Sequence, residues 1–236
     1  MQTIRWLSFC VSNPLTRTCV HFCPAAKNIA APYPINCQLT LFGGGLSEPL
    51  SVVVEGARMR QPDGMRLEDA FPVLRAEASG IFGLGVELLS PQGRVDLSAS
   101  DCLIELHSNR FSSRFRPKQV DIGEHNAGQV PELLCLKDSL NVTSVVIVNG
   151  SDQEFSPCFK DLGSSSQDFA QPLEPLGALS VREMSLDVNG AKQVECGLGK
   201  TIASAFSIAE DPPQNVVGYI VYRDTETKEP MSVSAL

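Results

Sequence analysis

The feature that most constrains this chain is its supply of short alternating segments separated by turn residues. Asn36-Cys37-Gln38-Leu39-Thr40-Leu41-Phe42 puts Cys37, Leu39 and Leu41 on one side of a strand. Three glycines follow, and then the β-branched run Leu50 to Glu55. Gly83 to Leu89, Arg94 to Leu97, Cys102 to His107 and Phe111 to Arg116 read as further strands. The second half repeats this grammar in 142–148, 155–160, 179–186, 201–208 and 216–222, with a short last strand at 232–236. Asn149-Gly150 and Asn189-Gly190 supply turn chemistry. The one run of good helix formers, Met65 to Ala70, is barely two turns long. Together these predict an all-β chain, a sandwich or barrel in grammar.

The order of elements recurs at an offset of about 100 residues, which favours two tandem units. The expected organisation is a loosely ordered leader over 1–35, a first immunoglobulin-like β-sandwich over 36–125 and a second over 126–236. The join falls near the stretch from Asp121 to Pro131. The leader expectation rests on charge and proline. No acid precedes Glu48, whereas Arg5, Arg17 and Lys27 lie before it. Pro14, Pro24, Pro32 and Pro34 break any long helix. The apolar run Trp6 to Val11 is short for an export signal.

Composition removes several function classes. The formal charge of −8 argues against nucleic acid, which needs clustered Lys and Arg. No apolar run reaches the roughly 18 residues of a membrane span. With 43% hydrophobic and 19% charged residues, the chain is neither a disordered tail nor a membrane bundle. Eight cysteines hint at an oxidising compartment, but several sit in apolar segments where a thiol serves as a small hydrophobe.

Six constellations bear on chemistry. Gly199-Lys200-Thr201 resembles the end of a phosphate loop, but Val194 occupies the first glycine position, so a plain turn is the better reading. Cys19-Val20-His21-Phe22-Cys23 has knuckle-like spacing without an established second pair, and no metal is expected. Asp101 and Glu105 share a strand face, which suits either a carboxylate pair or a solvated face. Cys102 with His107 lacks any nucleophile signature. Asn141 and Asn149 head glycosylation sequons.

The sixth constellation is the one basic cluster of the acidic body. Arg110, Arg114, Arg116 and Lys118 interleave with Phe111 and Phe115. On a strand, Arg114 and Arg116 face one side and Phe115 the other, so Phe115 should enter the core. These four basic residues are the expected binding residues. The expected function is a non-enzymatic binding or structural module of a cell-envelope or extracellular protein, with no cofactor and a protein or polysaccharide partner. The alternative is a hydrolase whose carboxylate or Cys–His site assembles only in the fold.

Overall fold

The computed structural model describes residues 4–23, 35–75, 80–89, 101–120, 133–137, 141–161, 170–172, 174–185, 193–196, 199–207 and 215–235. Strands dominate. They are β1 (Ile4–Ser12), β2 (Thr16–Cys23), β3 (Asn36–Phe42), β4 (Leu50–Glu55), β5 (Met65–Arg66), β6 (Gly80–Leu89), β7 (Asp101–Ser108), β8 (Ser112–Phe115) and β9 (Lys118–Gln119) in the first half. The second half holds β10 (Leu133–Lys137), β11 (Asn141–Asn149), β12 (Cys158–Asp161), β13 (Ala170–Pro172), β14 (Ser180–Ser185), β15 (Gln193–Cys196), β16 (Gly199–Ser207), β17 (Val216–Asp224) and β18 (Pro230–Ala235). The helices α1 (Gly56–Met59) and α2 (Leu67–Ala70) are single turns. The all-β expectation holds. The expected strand at 94–97 and the expected join at 121–131 lie outside the described residues.

The described residues form four antiparallel sheets. Sheet A runs β4-β3-β6-β1-β9 and sheet B runs β5-β2-β7-β8. Sheet D runs β14-β11-β17-β18, and sheet C runs β10-β16-β12-β13 with β15 on β16. Among the described residues, no sheet mixes strands from the two halves.

Residues 4–12 and 16–23 of the expected leader are strands. They form β1, an interior strand of sheet A between β6 and β9, and β2, which lies between β5 and β7 in sheet B. The corner between them explains how Pro14 is tolerated. Asn13 Oδ1 accepts the backbone N–H groups of Leu15 and Thr16 at 2.8 and 2.7 Å, forming an Asx turn around the proline. Thr18 then clamps the two strands, its Oγ1 donating to the Val11 carbonyl and accepting the Val11 N–H. Pro14 sits in this corner and leaves the strands on either side intact, while Pro24, Pro32 and Pro34 lie outside the described residues.

Burial explains why β1 lacks alternation. Ile4, Trp6 and Cys10 share one side of β1 and Leu7 and Phe9 the other, where Phe9 meets Phe115 of sheet B as well as Tyr219 of the second half, and all five are buried. A strand covered on both sides reads as a nearly continuous apolar run, so period two vanishes. The cover on the second-half side is sheet D. Tyr219 Oη of β17 donates to the Leu7 carbonyl and accepts the Lys118 N–H, so this fully buried phenol is satisfied. Its ring meets Phe9 and Phe115 edge-on at centroid distances of 5.2 and 5.5 Å. Gly150 completes the approach, since a Cβ there would stand 2.8 Å from a Leu7 methyl. One apolar core therefore includes Phe9, Leu39, Val86 and Ile104 together with Val146, Val217, Tyr219 and Val233. The far side of sheet D is also buried at Val145, Ile147 and Ile220, and β10 of sheet C lies close to β11.

The expected internal repeat does not carry over strand by strand. β3 and β4 pair with one another in sheet A, whereas β11 and β12 stand in different sheets. Similar spacing of turns produced the apparent match.

Candidate functional site

Sheet B has two unlike faces. Thr18, Val20 and Phe22 of β2, Cys102, Ile104 and Leu106 of β7, and Phe115 of β8 turn inward and are buried. The opposite parity looks outward. The registers place Arg66, Cys19, Glu105 and Arg114 in one row across all four strands. A second row, two residues along, holds Arg17, His107 and Ser112. His21 and Leu103 form a third, and Arg116 follows β8 with the same parity. With strands about 4.8 Å apart, Arg66 and Arg114 are separated by roughly 14 Å at the backbone. Arg17, Arg66, His107, Arg114 and Arg116 are exposed.

Glu105 holds this face together. Its Oε2 accepts His21 Nε2–H at 2.8 Å and Arg114 Nε–H at 3.0 Å, and its Oε1 accepts the Ser112 hydroxyl at 2.6 Å. A carboxylate only accepts, so His21 carries its proton on Nε2. Burial by itself would raise the Glu105 pKa. The three hydrogen bonds and the Arg114 charge outweigh it, and the carboxyl sits below its ordinary value. The geometry works by close packing: Gly64, at φ +64°, lies over the His21 ring, where a Cβ would come within 2.7 Å of the ring. Cys19 lies directly opposite Glu105. Burial first, and then that carboxylate, raises its thiol pKa, which opposes nucleophilic chemistry.

Several expectations change here. Glu105 is not a solvated carboxylate; it is 8% exposed and fully engaged. Its carboxylate is taken up by His21, Arg114 and Ser112, and the side chain of Asp101 lies outside the described residues. Cys102 points into the core while His107 is exposed on the other face, so they form no nucleophile–base pair. Cys19 and Cys23 sit four residues apart on an extended strand, roughly 13 Å, too far to chelate one ion in a knuckle. No metal-holding group of His, Cys, Asp or Glu occurs among the described residues. Lys200 lies in β16 opposite Glu195 of β15, so the phosphate-loop resemblance resolves into paired strands without a following helix. Asn149 is wholly buried, its amide donating to the carbonyls of Gln153, Leu176 and Gly177, which bars glycan attachment in the folded chain.

The four expected binding residues are distributed. Arg114 and Arg116 lie on the outer face of sheet B, and Phe115 enters the core as expected, stacked on Phe9 at 5.5 Å. Arg110 sits in the bend between β7 and β8, where its charge reaches Asp224 of the second half. Lys118 belongs to β9 in sheet A. Arg17, Arg66, His21 and His107 were missed. The signal available was the two-residue spacing Arg17–Cys19–His21, which strand periodicity would have put on one face.

Among the described residues no helix is long and apolar enough to cross a membrane. Comparison with protein-family models, curated proteins and solved structures finds no match for this chain.

Proposed function

We propose that this chain is a non-enzymatic binding module, and that the outer face of sheet B receives a polyanionic polysaccharide at a cell envelope or outside the cell. In this reading the two halves are two sandwich units, immunoglobulin-like in strand length, fixed back to back through sheets A and D. The observation that carries the proposal is the register of sheet B, which gathers four arginines and two histidines onto one face of a chain with net charge −8. Arg114 is held through its Nε by Glu105 while 57% of its side chain remains exposed, so part of the ordering needed for binding is already done. Guanidinium groups suit carboxylate and sulfate because they donate in a planar fork.

A polysaccharide is favoured over a protein by what the face lacks. Protein interfaces centre on an apolar core. Leu103, half-buried, and the buried Cys19 are the only apolar residues in the three outward rows. The cluster itself favours no hydrolytic chemistry, since Glu105 is occupied and Cys19 stays protonated.

Calorimetric titration with a defined sulfated heparin oligosaccharide tests the reading. The intact chain should bind, more weakly as salt rises. Replacing Arg17, Arg66 and Arg114 by Ala together should weaken binding by about threefold to a hundredfold, at about 0.2–1 kcal/mol per exposed pair. Absence of binding at low salt, or equal binding by the triple variant, would contradict it. Anionic lipid vesicles and acidic peptides serve as the competing probes, and preference for either would also contradict it.

A further inference from the structure

Strand β4 is an edge of sheet A, and two of the three large apolar side chains exposed among the described residues stand on it, Leu50 at 38% and Val53 at 57%. We propose that β4 is a self-association edge: it pairs antiparallel with β4 of a second copy of this chain across a two-fold axis at Val53, so that sheet A continues from one copy into the other. The inference is independent of the polyanion reading of sheet B.

Hydrogen-bonding parity shows which backbone groups this edge offers. Gly56 N–H donates to the Ile35 carbonyl at 2.8 Å, one step beyond the opposed pair Asn36 and Glu55. Opposed residues of an antiparallel ladder alternate between bonded and unbonded pairs. Leu50, Val52 and Val54 therefore bond to β3, whereas the N–H and C=O groups of Ser51, Val53 and Glu55 point away from it. Among the described residues no strand takes them up. Soluble proteins ordinarily blunt such an edge by shortness, a bulge, Lys or Pro. β4 runs six residues, pairs with β3 without a register shift, and contains neither Lys nor Pro. The other edges of sheets A and B differ: β9 and β5 are two residues long, and β8 lies close to β18.

A second copy fits this edge in register and in charge. With the axis at Val53, all three outward residues pair: Val53 with Val53 of the second copy, and Ser51 with its Glu55. Moving the axis one residue back sets Glu55 opposite Pro49, which has no N–H to give. Moving it one residue forward sets Ser51 opposite Ala57, which belongs to α1. In the central register the exposed Val53 side chains cover each other. The Ser51 hydroxyl, 3.0 Å from Thr40 Oγ1, stands where it can donate to the Glu55 carboxylate of the second copy. The antiparallel sense also brings the acidic entry of one strand, exposed Glu48, toward the basic exit of the other, exposed Arg58 and Arg60. A parallel pairing would instead set Glu55 beside Glu55. One strand pair buries less than the roughly 1,000 Å² that a stable interface clears, so this dimer is weak and concentration-dependent.

Cysteine cross-linking of the full chain reads the register. Opposed residues of a bonded pair have Cα atoms about 5.5 Å apart, within disulfide reach. Val53→Cys should therefore give a disulfide-linked dimer in air with a copper catalyst, above the background set by the intact chain. Ser51→Cys should not, because the two Ser51 positions stand about 14 Å apart across the axis. An equal mixture of Ser51→Cys and Glu55→Cys should cross-link as the heterodimer. In sedimentation velocity the intact chain should rise from the mass of one copy toward that of two as concentration increases. Val53→Lys sets like charges together at the axis and should abolish that rise, while its exposed position leaves the thermal melt nearly unchanged. If Val53→Lys fails to fold, the cross-linking comparison decides alone. An intact chain that stays monomeric at its highest soluble concentration, a folded Val53→Lys that dimerises equally well, or Ser51→Cys that cross-links as readily as Val53→Cys would overturn the inference.

Discussion

Sheets A and B are neighbours made from the same 120 residues, yet they differ in what they have left to offer. Sheet A packs against strands of both sheet B and sheet D, and β1 and β6 are buried on both sides over most of their length. Sheet B is packed on one side and open on the other, so β2, β7 and β8 alternate apolar and polar residues. The lesson is that polar chemistry is carried by the sheet with an open face, whereas a doubly covered sheet must give its positions to packing. Even the polar residues of β1 follow this: Ser8 and Ser12 are buried and donate to backbone carbonyls.

The largest predicted effect attacks the clamp. Phe9 is fully buried between Phe115 of sheet B and Tyr219 of sheet D. Phe9→Ala should cost about 3–5 kcal/mol. Because the ring joins both halves, urea unfolding should remain a single transition with a lower midpoint. Two separated transitions would break the comparison by showing that sheets A and D do not share a core.

A middle-sized effect sharpens the polar side. Glu105→Gln removes a charge that three donors face, and should cost about 1–3 kcal/mol. The pH sign follows from its lowered pKa. The Glu105 contribution is complete above the ordinary carboxylate value of 4.5 and is lost as pH falls through the lower folded value. The stability gap between the intact chain and Glu105→Gln should therefore narrow on acidification below pH 4.5, measured by denaturant midpoints. A gap independent of pH would mean the carboxylate is not held in its charged form.

The smallest effect separates the faces of one strand. Arg17 points outward from β2 and is exposed, so Arg17→Ala should alter stability by no more than about 0.5 kcal/mol. Val20→Ala, three residues on and fully buried, should cost well above that in the same thermal melt. Equal losses would erase the distinction between the two sides of sheet B.

Legibility in the sequence follows the same division. β3, β7 and β8 were readable because one side of each carries apolar residues at period two. β11 and β17 were readable through their β-branched runs, although both are buried on each face. β1 was not readable, since its run is unbroken by period two and lies among prolines and basic residues that suit a leader equally well. The pairing of His21 with Glu105 joins positions 84 residues apart, and no local pattern encodes such a contact. Half of the basic face was therefore visible as Arg114 and Arg116. The other half became visible only once β2 and β5 were set beside β7.

Native-state hydrogen exchange tests the clamp most directly, because it reads the free energy at which each strand opens. The account predicts that the amides of Phe9 and Cys10 in β1 exchange only through global unfolding, with the same opening free energy as Val146 and Ile147 in β11. Exchange of Phe9 and Cys10 by fast local opening, while β11 stays protected, would contradict it and return the first residues to the status of a detachable leader.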